Sequence, residues 1–364
     1  MTGQNAHIST NQNPGIETRS EIWSQPESWL GASDAIRNNA SRLALFFSMD
    51  PARPIALLGC GSPYYMNLSS AAAYRALAGR WAVALPASEV LYNLTAAIPA
   101  NVTPLVIAVS RSGETSELIA ACRKLKKERG SPLIAISVSQ GTTLEKLVDF
   151  HVFIPDAGEK SVAQTRSFSA MLMASLGAVS IASHRKALTD ELSQLPAQAS
   201  NYIGRIQSPL AELIGRGFER VFFLGSGMRY GLANEGSLKM KEMSITDAEP
   251  FHFMEFRHGP QSMVDSNTLI VGLLSQHASD AETQVLHDMV RLGGTVLALG
   301  AASPSVEDRY VSIALPSGLS ELGTLPFYMP ALQMLAYNQA VRKGINCDSP
   351  RNLHAWIKLP NLDA

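Results

Sequence analysis

Two segments of the chain repeat each other. The first, IALLGCGSPYY, covers residues 55–65, and the second, VFFLGSGMRYG, covers residues 221–231. Each is an apolar run that continues into LGxGxxY and then into a helix-forming stretch, and Leu58 and Leu224 stand 166 residues apart. In a chain of 364 residues, a repeat of this length predicts two domains of the same kind.

Short apolar runs follow each repeat in the same order. They cover residues 104–110, 133–138 and 151–155 in the first half, and residues 268–275, 295–300 and 310–316 in the second. The runs are rich in β-branched residues and almost continuously apolar, as buried parallel strands are. Helix-forming stretches separate them, so the pattern predicts an α/β protein with two tandem, doubly wound, flavodoxin-like parallel sheets. We predict a polar N-terminal arm over residues 1–30, a first domain over 31–195 and a second over 196–364.

The composition limits the function classes. Hydrophobic residues make up 46% of the chain and charged residues 17%, which is enough apolar material for a large core. A net charge of −1 without a long basic run gives no reason to expect a nucleic-acid or membrane partner. The polar start is unlike a signal peptide, and three widely spaced cysteines do not form a disulfide framework or a zinc motif. We therefore expect a cytoplasmic protein without a bound metal.

The apolar run at residues 104–110 leads into the loop SRSGETSEL, residues 110–118. Its small hydroxyl residues and glycine let main-chain N–H groups approach an anion at the start of a helix, and Arg111 adds positive charge. The loop is therefore either a phosphate cradle, with Ser110, Ser112 and Thr115 as ligands, or an ordinary helix-capping turn. The corresponding stretch of the second half, SQHASDAET, lacks the SGET core, so we expect an anion site in one half only.

The anion is expected to belong to the substrate. Tyr64 and Tyr230 replace the third glycine of a G-x-G-x-x-G fingerprint, and the sequence contains no G-x-x-x-x-G-K-[ST] motif. Both absences argue against a nucleotide cofactor.

The stretch EGSLKMKEM places Glu235, Lys239 and Glu242 at helical spacing i, i+4 and i+7, which is one face of a helix. Such a triple is either a set of exposed ion pairs or an acid/base site, while Lys241 points away from this face. A histidine, His258, follows soon after and directly precedes a Gly-Pro break. An imidazole held near an acid-bearing helix favours the acid/base interpretation.

Together these stretches resemble the SIS (sugar isomerase) family. The resemblance is carried by EIWSQPESW at residues 21–29, LGCGSPY, SRSGETSEL, EGSLKMKEM followed by EFRHGP, and the tail DSPRNL at residues 348–353. It extends from about residue 20 to the C-terminus. Among the family's branches, the chain is most similar to the isomerase half of glutamine:fructose-6-phosphate amidotransferase and to stand-alone amino-sugar-phosphate deaminases and isomerases.

The resemblance implies a role for each matched residue. Glu242 is expected to move a proton between the first two sugar carbons, and His258 to open the sugar ring from the partner subunit of a homodimer. Glu235 and Lys239 are expected to line the same pocket. The sugar phosphate is expected to contact Ser62, Ser110, Arg111, Ser112, Thr115 and Gln164, although Gln164 stands where relatives carry a hydroxyl residue.

Two departures from the family narrow the expected reaction. The chain contains no recognisable glutaminase domain, so we expect no amide transfer from glutamine. The position of the family's Schiff-base lysine, three residues after Asn352, is occupied by Ala355. This loss argues against chemistry that begins with a ketose Schiff base, and it favours entry through an aldose ring.

We expect a deaminase/isomerase that converts a 2-amino-hexose 6-phosphate, such as glucosamine 6-phosphate, into a ketose phosphate and ammonia. A fructosamine-6-phosphate deglycase is the alternative enzyme, and it would release an amine from a larger substrate. The alternative from another class is a non-catalytic sugar-phosphate sensor. A sensor has no need of Glu242 and His258, whereas an isomerase needs both proton-transfer groups.

Overall fold

Two parallel sheets organise the molecule. The computed structural model describes residues 14–301 and 305–359. Its first sheet has the order β2-β1-β3-β4-β5, and all of its strand pairs are parallel. These strands are β1 (Ile55–Gly59), β2 (Ala82–Pro86), β3 (Leu105–Ser110), β4 (Leu133–Ser137) and β5 (Phe150–Phe153). Every residue of β1, β3 and β4 is buried, which is why their sequences are continuously apolar rather than alternating.

The second sheet repeats this order. Its strands run β10-β11-β9-β8-β6-β7, and removal of the short antiparallel strand β10 leaves the same topology as in the first sheet. The strands are β6 (Arg220–Gly225), β7 (Asp247–Phe251), β8 (Thr268–Leu273), β9 (Thr295–Leu299), β10 (Ser305–Glu307) and β11 (Tyr310–Ile313). The predicted fold class, two tandem doubly wound α/β units, is therefore confirmed.

Helices cover both sheets and fill the space between them. They are α1 (Ile16–Trp23), α2 (Gln25–Ser48), α3 (Ser62–Ala78), α4 (Ala87–Tyr92), α5 (Leu94–Ala97), α6 (Ser116–Arg129), α7 (Thr143–Leu147), α8 (Arg166–Ala182), α9 (Lys186–Gly215), α10 (Tyr230–Ser244), α11 (Phe253–Phe256), α12 (Ser279–Arg291) and α13 (Glu321–Arg342). Among the described residues, none of these helices is long and apolar enough to cross a membrane.

The two halves share one core. Phe327 of α13, in the second half, packs edge-on against Trp29 of α2 and Tyr202 of α9, with ring centroids 5.3 and 5.4 Å apart. All three side chains are almost completely buried, so the halves are joined by aromatic packing and not by a loose linker.

The N-terminal region and the boundary between the halves are both helical. Helices α1 and α2 begin within the segment assigned to a polar arm, and Ile22 and Trp29 of that segment are fully buried. Residues 1–13 of the arm lie outside the described residues. The division of the chain at residues 30 and 195 remains a prediction, because α2 and α9 run through these two positions without a break.

Candidate active site

A cavity of about 200 Å³ lies at the carboxyl edge of the first sheet. It opens where β1 and β3 are neighbours although β2 lies between them in the chain, which is the switch point where open α/β sheets bind ligands. Its walls come from the loops after β1, β3 and β5, from α10 of the second half, and from the C-terminal tail. The lining residues are Cys60–Pro63, Val109–Ser112, Thr115, Glu117, Leu118, Val162, Gln164, Glu242 and Leu353–Ile357.

The loop between β3 and α6 has the geometry of an anion cradle. The hydroxyl of Ser110 accepts a hydrogen bond from the Gly113 N–H at 3.0 Å, and that of Ser112 accepts one from the Glu114 N–H at 3.2 Å. These bonds leave the hydroxyl protons free to donate towards the cavity. Among the described residues, the N–H groups of Glu117 and Leu118 in the first turn of α6 have no acceptor. An anion at this point would gain both hydroxyl and helix N-terminal donors.

Gly113 is required by the shape of this loop. Its φ of +64° lies in the left-handed region, and a Cβ there would lie 2.4 Å from the Thr142 hydroxyl oxygen. Next to it, the Glu114 carboxylate accepts hydrogen bonds from the N–H and the hydroxyl of Thr143, at 2.7 and 2.9 Å. The glycine allows the close approach, and the carboxylate fixes the loop against the start of α7.

The residues predicted to bind phosphate all line this one cavity. Ser62, at the start of α3, and Gln164, after β5, line the same cavity as the β3–α6 loop. Arg111 also lines it, but its guanidinium donates to the carbonyl oxygens of Ser161 and Ala355, at 3.2 and 3.0 Å. These donors are directed at the protein's own main chain.

Three of the four charged residues of α10, Glu235, Lys239 and Glu242, form a cluster. The Lys239 ammonium contacts the Glu242 carboxylate and lies 3.3 Å from Oε1 of Glu235. The side chains of Glu235 and Lys239 are completely buried, whereas that of Glu242 is 19% exposed and reaches the cavity. The triple is therefore not a set of exposed surface ion pairs. Lys241, on the other face, is exposed.

Burial separates the roles of the two carboxyl groups. Burial raises the pKa of Glu235 to about 8; the positive charge of Lys239 opposes this rise and the negative charge of Glu242 adds to it. The pKa of Lys239 is also raised, because the attraction of the two carboxylates outweighs the effect of its burial. A Glu235 that is protonated near neutral pH leaves the lysine charge to pair with Glu242.

A close contact between helices brings α10 to the cavity. A Cβ at Gly231, in the first turn of α10, would lie 2.3 Å from the main-chain oxygen of Tyr65 in α3. Only glycine allows the two helices to approach so closely. Glu242, from the second half, thereby shares a cavity with Ser62 and the β3–α6 loop, from the first half.

His258 lies outside the cavity of its own chain. It is exposed, in the turn after α11, and its main-chain N–H donates to the main-chain carbonyl of Glu255 at 3.0 Å. His252 is also exposed and stacks on Tyr230, with ring centroids 3.8 Å apart. The structure thus brings Glu242 into the same cavity as the β3–α6 loop, but neither His252 nor His258 lines that cavity within one chain.

Sequence reasoning missed most of the wall formed by the C-terminal tail. The residues involved are Leu353, His354, Ala355, Trp356 and Ile357. The DSPRNL stretch indicated that the tail matters, but no local pattern shows which tail side chains face a cavity. Glu159 was also missed: its fully buried side chain accepts hydrogen bonds from the Thr165 N–H and hydroxyl, at 2.5 and 2.7 Å.

Comparison with known proteins gives a consistent family. A family model described as the SIS domain matches residues 48–180 and again residues 216–342. A glutamine–fructose-6-phosphate aminotransferase (isomerizing) from Helicobacter pylori is 29% identical over 355 residues, which is 92% of this chain and 57% of that protein. The corresponding protein from Legionella pneumophila strain Philadelphia 1 is 31% identical over 82% of this chain and 50% of its own length. The chain spans about half the length of these curated relatives.

Solved structures share the fold over nearly the whole chain. Tagatose-6-phosphate ketose/aldose isomerase from Escherichia coli superposes with a TM-score of 0.83 at 21% identity, over 94% of this chain and 98% of that one. Glucosamine-6-phosphate deaminase from Thermotoga maritima gives a TM-score of 0.73 at 23% identity, over 90% and 100%. At these identities the likeness establishes the fold alone.

Proposed function

Because this chain belongs to the SIS domain family, we propose that it is a sugar-phosphate isomerase and deaminase. Its substrate would be a 2-amino-hexose 6-phosphate such as glucosamine 6-phosphate, and its products a ketose 6-phosphate and ammonia. The observation that carries the proposal is one cavity that combines an anion cradle with a partly exposed carboxylate, Glu242, which is paired with a buried lysine. Relatives with aminotransferase (isomerizing) and deaminase names agree with this class of substrate.

The cradle would hold the phosphate and so position the reacting carbons. Hydroxyls of Ser62, Ser110, Ser112 and Thr115 would donate to the phosphate oxygens, together with the free N–H groups at the start of α6. Gln164 and Arg111 line the same cavity. Binding energy from this remote group would orient the sugar for proton transfer without a direct role in the chemistry.

Glu242 would transfer the proton between the first two carbons. In the open-chain aldose, the carboxylate removes the proton from C2 and leaves an enaminol, then returns a proton to C1 to give an imine at C2. Water adds to C2 of this imine, and the C2–N bond then breaks to give the ketose and ammonia. One water is consumed for each ammonia released. Lys239, which contacts Glu242 in the buried cluster, would hold this carboxylate in position.

Ring opening needs a second proton-transfer group, and His258 is the proposed one. Its exposed position, away from its own cavity, agrees with a role in the cavity of a second subunit. The working enzyme would then be a homodimer. Mixing a Glu242→Gln protein with a His258→Asn protein should restore turnover, because one site of the mixed dimer has both groups intact. A mixture as inactive as its two components would contradict a shared site.

The cavity volume favours a small substrate. About 200 Å³ lies below the roughly 300–1,000 Å³ of sites for drug-sized ligands. A hexosamine phosphate with a free amino group is therefore favoured over a fructosamine that carries an amino acid. A panel of 2-amino-hexose 6-phosphates and fructosamine 6-phosphates, assayed for ammonia, amino acid and ketose phosphate, distinguishes the two reactions.

The central test removes the proposed base. Glu242→Gln should lower turnover of glucosamine 6-phosphate by about 10²- to 10⁴-fold, because the amide cannot accept the C2 proton. Binding of the substrate should change little, since the phosphate contacts remain. Lys241→Gln is the matched control, because Lys241 lies on the same helix but is exposed. Turnover of Glu242→Gln close to that of the control would overturn the assignment.

A further inference from the structure

The C-terminal tail forms one wall of the cavity. Five consecutive residues, 353–357, line the cavity together with residues of the β3–α6 loop. The tail residues 351–358 contain no helix or strand, and the side chains of His354 and Trp356 are exposed. Their position therefore depends on contacts with the rest of the chain rather than on their own secondary structure.

The start of α6 holds the outer part of this wall. The main-chain N–H of Leu359 donates to the hydroxyl of Ser116 at 2.9 Å. The N–H and the hydroxyl of Ser116 both face the carbonyl oxygen of Ile357 at 3.4 Å. These contacts fix residues 357–359, but they leave residues 353–356 to be held by something else.

Arg111 supplies that second attachment. Its side chain is only 11% exposed, and its guanidinium joins its own loop to two other segments, the tail and the loop after β5. One nitrogen, Nη2, donates to the Ala355 carbonyl at 3.0 Å, while Nη1 donates to the Ser161 carbonyl at 3.2 Å and lies 3.5 Å from Oε2 of Glu159. Among the described residues, this is the hydrogen bond that joins the centre of the tail wall to the β3–α6 loop.

The charge of Arg111 already has a counter-ion. The Glu159 side chain is fully buried, and Thr165 and Ser167 also donate to its carboxylate. The main-chain oxygen of Arg111 accepts a hydrogen bond from the Ser139 hydroxyl at 2.9 Å, so the backbone is fixed as well. A guanidinium that pairs with a buried acid and donates to two carbonyls has little capacity left to bind a substrate anion.

We propose that Arg111 is a positioning residue that holds the C-terminal tail as a wall of the cavity, and not the main ligand of the substrate phosphate. The phosphate is bound by the hydroxyl and N–H donors of the loop. The planar fork of the guanidinium lets one side chain reach Ala355, Ser161 and Glu159 together, which the single ammonium of a lysine cannot do. The part of this inference that concerns the substrate rests on the proposed function; the attachment of the tail does not.

The test separates tail attachment from anion binding without any need for turnover. Arg111→Lys keeps the charge but loses the fork. We expect hydrogen–deuterium exchange of the tail amides 353–359 to become faster by about tenfold or more. We expect the affinity for inorganic phosphate, from calorimetry, to stay within about threefold of the wild-type value, because the charge and the loop donors remain.

Two control variants calibrate these measurements. Ser112→Ala removes a proposed phosphate donor and should weaken phosphate binding while tail exchange stays at the wild-type rate. Arg351→Met removes an exposed arginine of the tail and should change neither quantity. With glucosamine 6-phosphate, Arg111→Lys should raise KM while the inhibition constant of inorganic phosphate stays the same.

Either of two results overturns the proposal. One is unchanged tail exchange in Arg111→Lys. The other is a loss of phosphate affinity in Arg111→Lys as large as that in Ser112→Ala. If the wild-type protein binds no phosphate, the proposed function fails, and the exchange measurement still decides whether Arg111 holds the tail.

Discussion

The same position in the two halves is used in opposite ways. In the first half, the loop after β3 leaves hydroxyl groups and helix N–H groups facing a cavity. In the second half, the loop after β8 is closed by the protein's own carboxylates. The Ser275 N–H donates to Glu282 and the Gln276 N–H to Glu321, both at 2.6 Å. Donors that await an external anion in one half are already satisfied by internal anions in the other.

One pair of equivalent residues, Pro63 and Arg229, shows the same difference between the two halves. Arg229 stands 166 residues after Pro63, so the two occupy the same place in the repeat. Pro63 lines the cavity, whereas the Arg229 side chain is only 1% exposed, contacts Glu321 and donates to the Tyr328 hydroxyl at 2.9 Å. Both halves therefore have an anion position after the equivalent strand. In the second half Glu282 and Glu321 occupy it, and in the first half it faces the cavity.

The largest effect on stability is expected when the ion pair between Arg229 and Glu321 is broken. Glu321→Gln leaves Arg229 buried without a counter-charge, and we expect it to lower the free energy of unfolding by about 3–5 kcal/mol. Urea denaturation at neutral pH measures this loss. Arg229 and several hydrogen bonds outweigh burial and lower the pKa of Glu321, so the wild-type advantage should be present at neutral pH and lost as pH falls through that lowered pKa.

The matched control for this substitution is Glu27→Gln. Glu27 also lies in the first turn of a helix, α2, but it is exposed. A loss of stability in Glu321→Gln no greater than that in the control would show that the second half does not need its internal anion.

The next effect is expected when the first half receives its own anion. Ser112→Asp places a carboxylate in the open cradle, where it repels a phosphate, and we expect phosphate affinity to fall by about 100-fold. Stability should change by less than about 1 kcal/mol, since Ser112 is only partly buried. Calorimetric titration with inorganic phosphate measures the affinity, and Ser112→Asn is the neutral control. Equal affinities of the two variants would mean that phosphate binds elsewhere.

A moderate effect concerns pH and the buried acid of the second half. With a pKa of about 8, folded Glu235 keeps a proton that the unfolded chain loses near its ordinary value of 4.5. The folded state therefore binds more protons between these values, and its stability should fall as pH rises from 5 to 8. Lys239 stays charged in both states over this range, because its raised pKa affects stability only above its ordinary value of 10.5.

Glu235→Gln should remove this dependence. Between pH 5 and pH 6.5 we expect the unfolding free energy of the wild type to fall by about 2 kcal/mol relative to the variant, since one pKa unit corresponds to about 1.4 kcal/mol. Denaturation curves of both proteins at several pH values provide the measurement. Parallel pH profiles for the two proteins would show that Glu235 is ionised in the folded state throughout this range.

The smallest effect compares the ends of two equivalent helices. Helix α3 is followed by Gly79 with φ +61°, and α10 is followed, 166 residues further along the chain, by Ile245 with φ +48°. A left-handed conformation destabilises a non-glycine residue by about 1–2 kcal/mol. Glycine avoids this strain, but it loses more backbone entropy on folding, which offsets about half of the gain. Ile245→Gly should therefore raise the unfolding free energy by about 0.5–1 kcal/mol, and Gly79→Ala should lower it by a similar amount.

Thermal or urea unfolding of the two variants tests this pair. Lys343 also supports the end of α10, because its ammonium donates to the carbonyl oxygens of Ser244 and Ile245, both at 3.2 Å. If Ile245→Gly instead destabilises the protein, the exposed isoleucine side chain contributes more than the strained backbone costs.

The sequence predicted the central strands well and the edge strands poorly. The apolar runs correspond to β1, β3, β4, β5, β6, β8, β9 and β11. Three of the four edge strands in the described part of the chain, β2, β7 and β10, were missed, because an edge strand has only one neighbour and, in β2 and β7, partial burial constrains the residues less. β7, with the sequence DAEPF, even contains a proline, which an edge strand tolerates because one side forms no ladder hydrogen bonds.

What the sequence determined by itself is local or repeated. The 166-residue repeat and the alternation of strands and helices follow from the pattern along the chain, and the common face of Glu235, Lys239 and Glu242 follows from spacing within one segment. Helix and strand periodicities fix which side chains point together over a few turns. They carry no information about what those side chains meet beyond their own element.

Only the tertiary structure decided the environment of these residues. Burial of Lys239 turned a possible surface ion pair into an internal cluster, and contact between α3 and α10 brought Glu242 to a loop more than 100 residues away in the chain. The pairing of Arg111 with Ala355 joins residues 244 apart. Such contacts depend on how whole helices and sheets pack, because a side chain's charge partner and exposure are set by the surfaces that close around it.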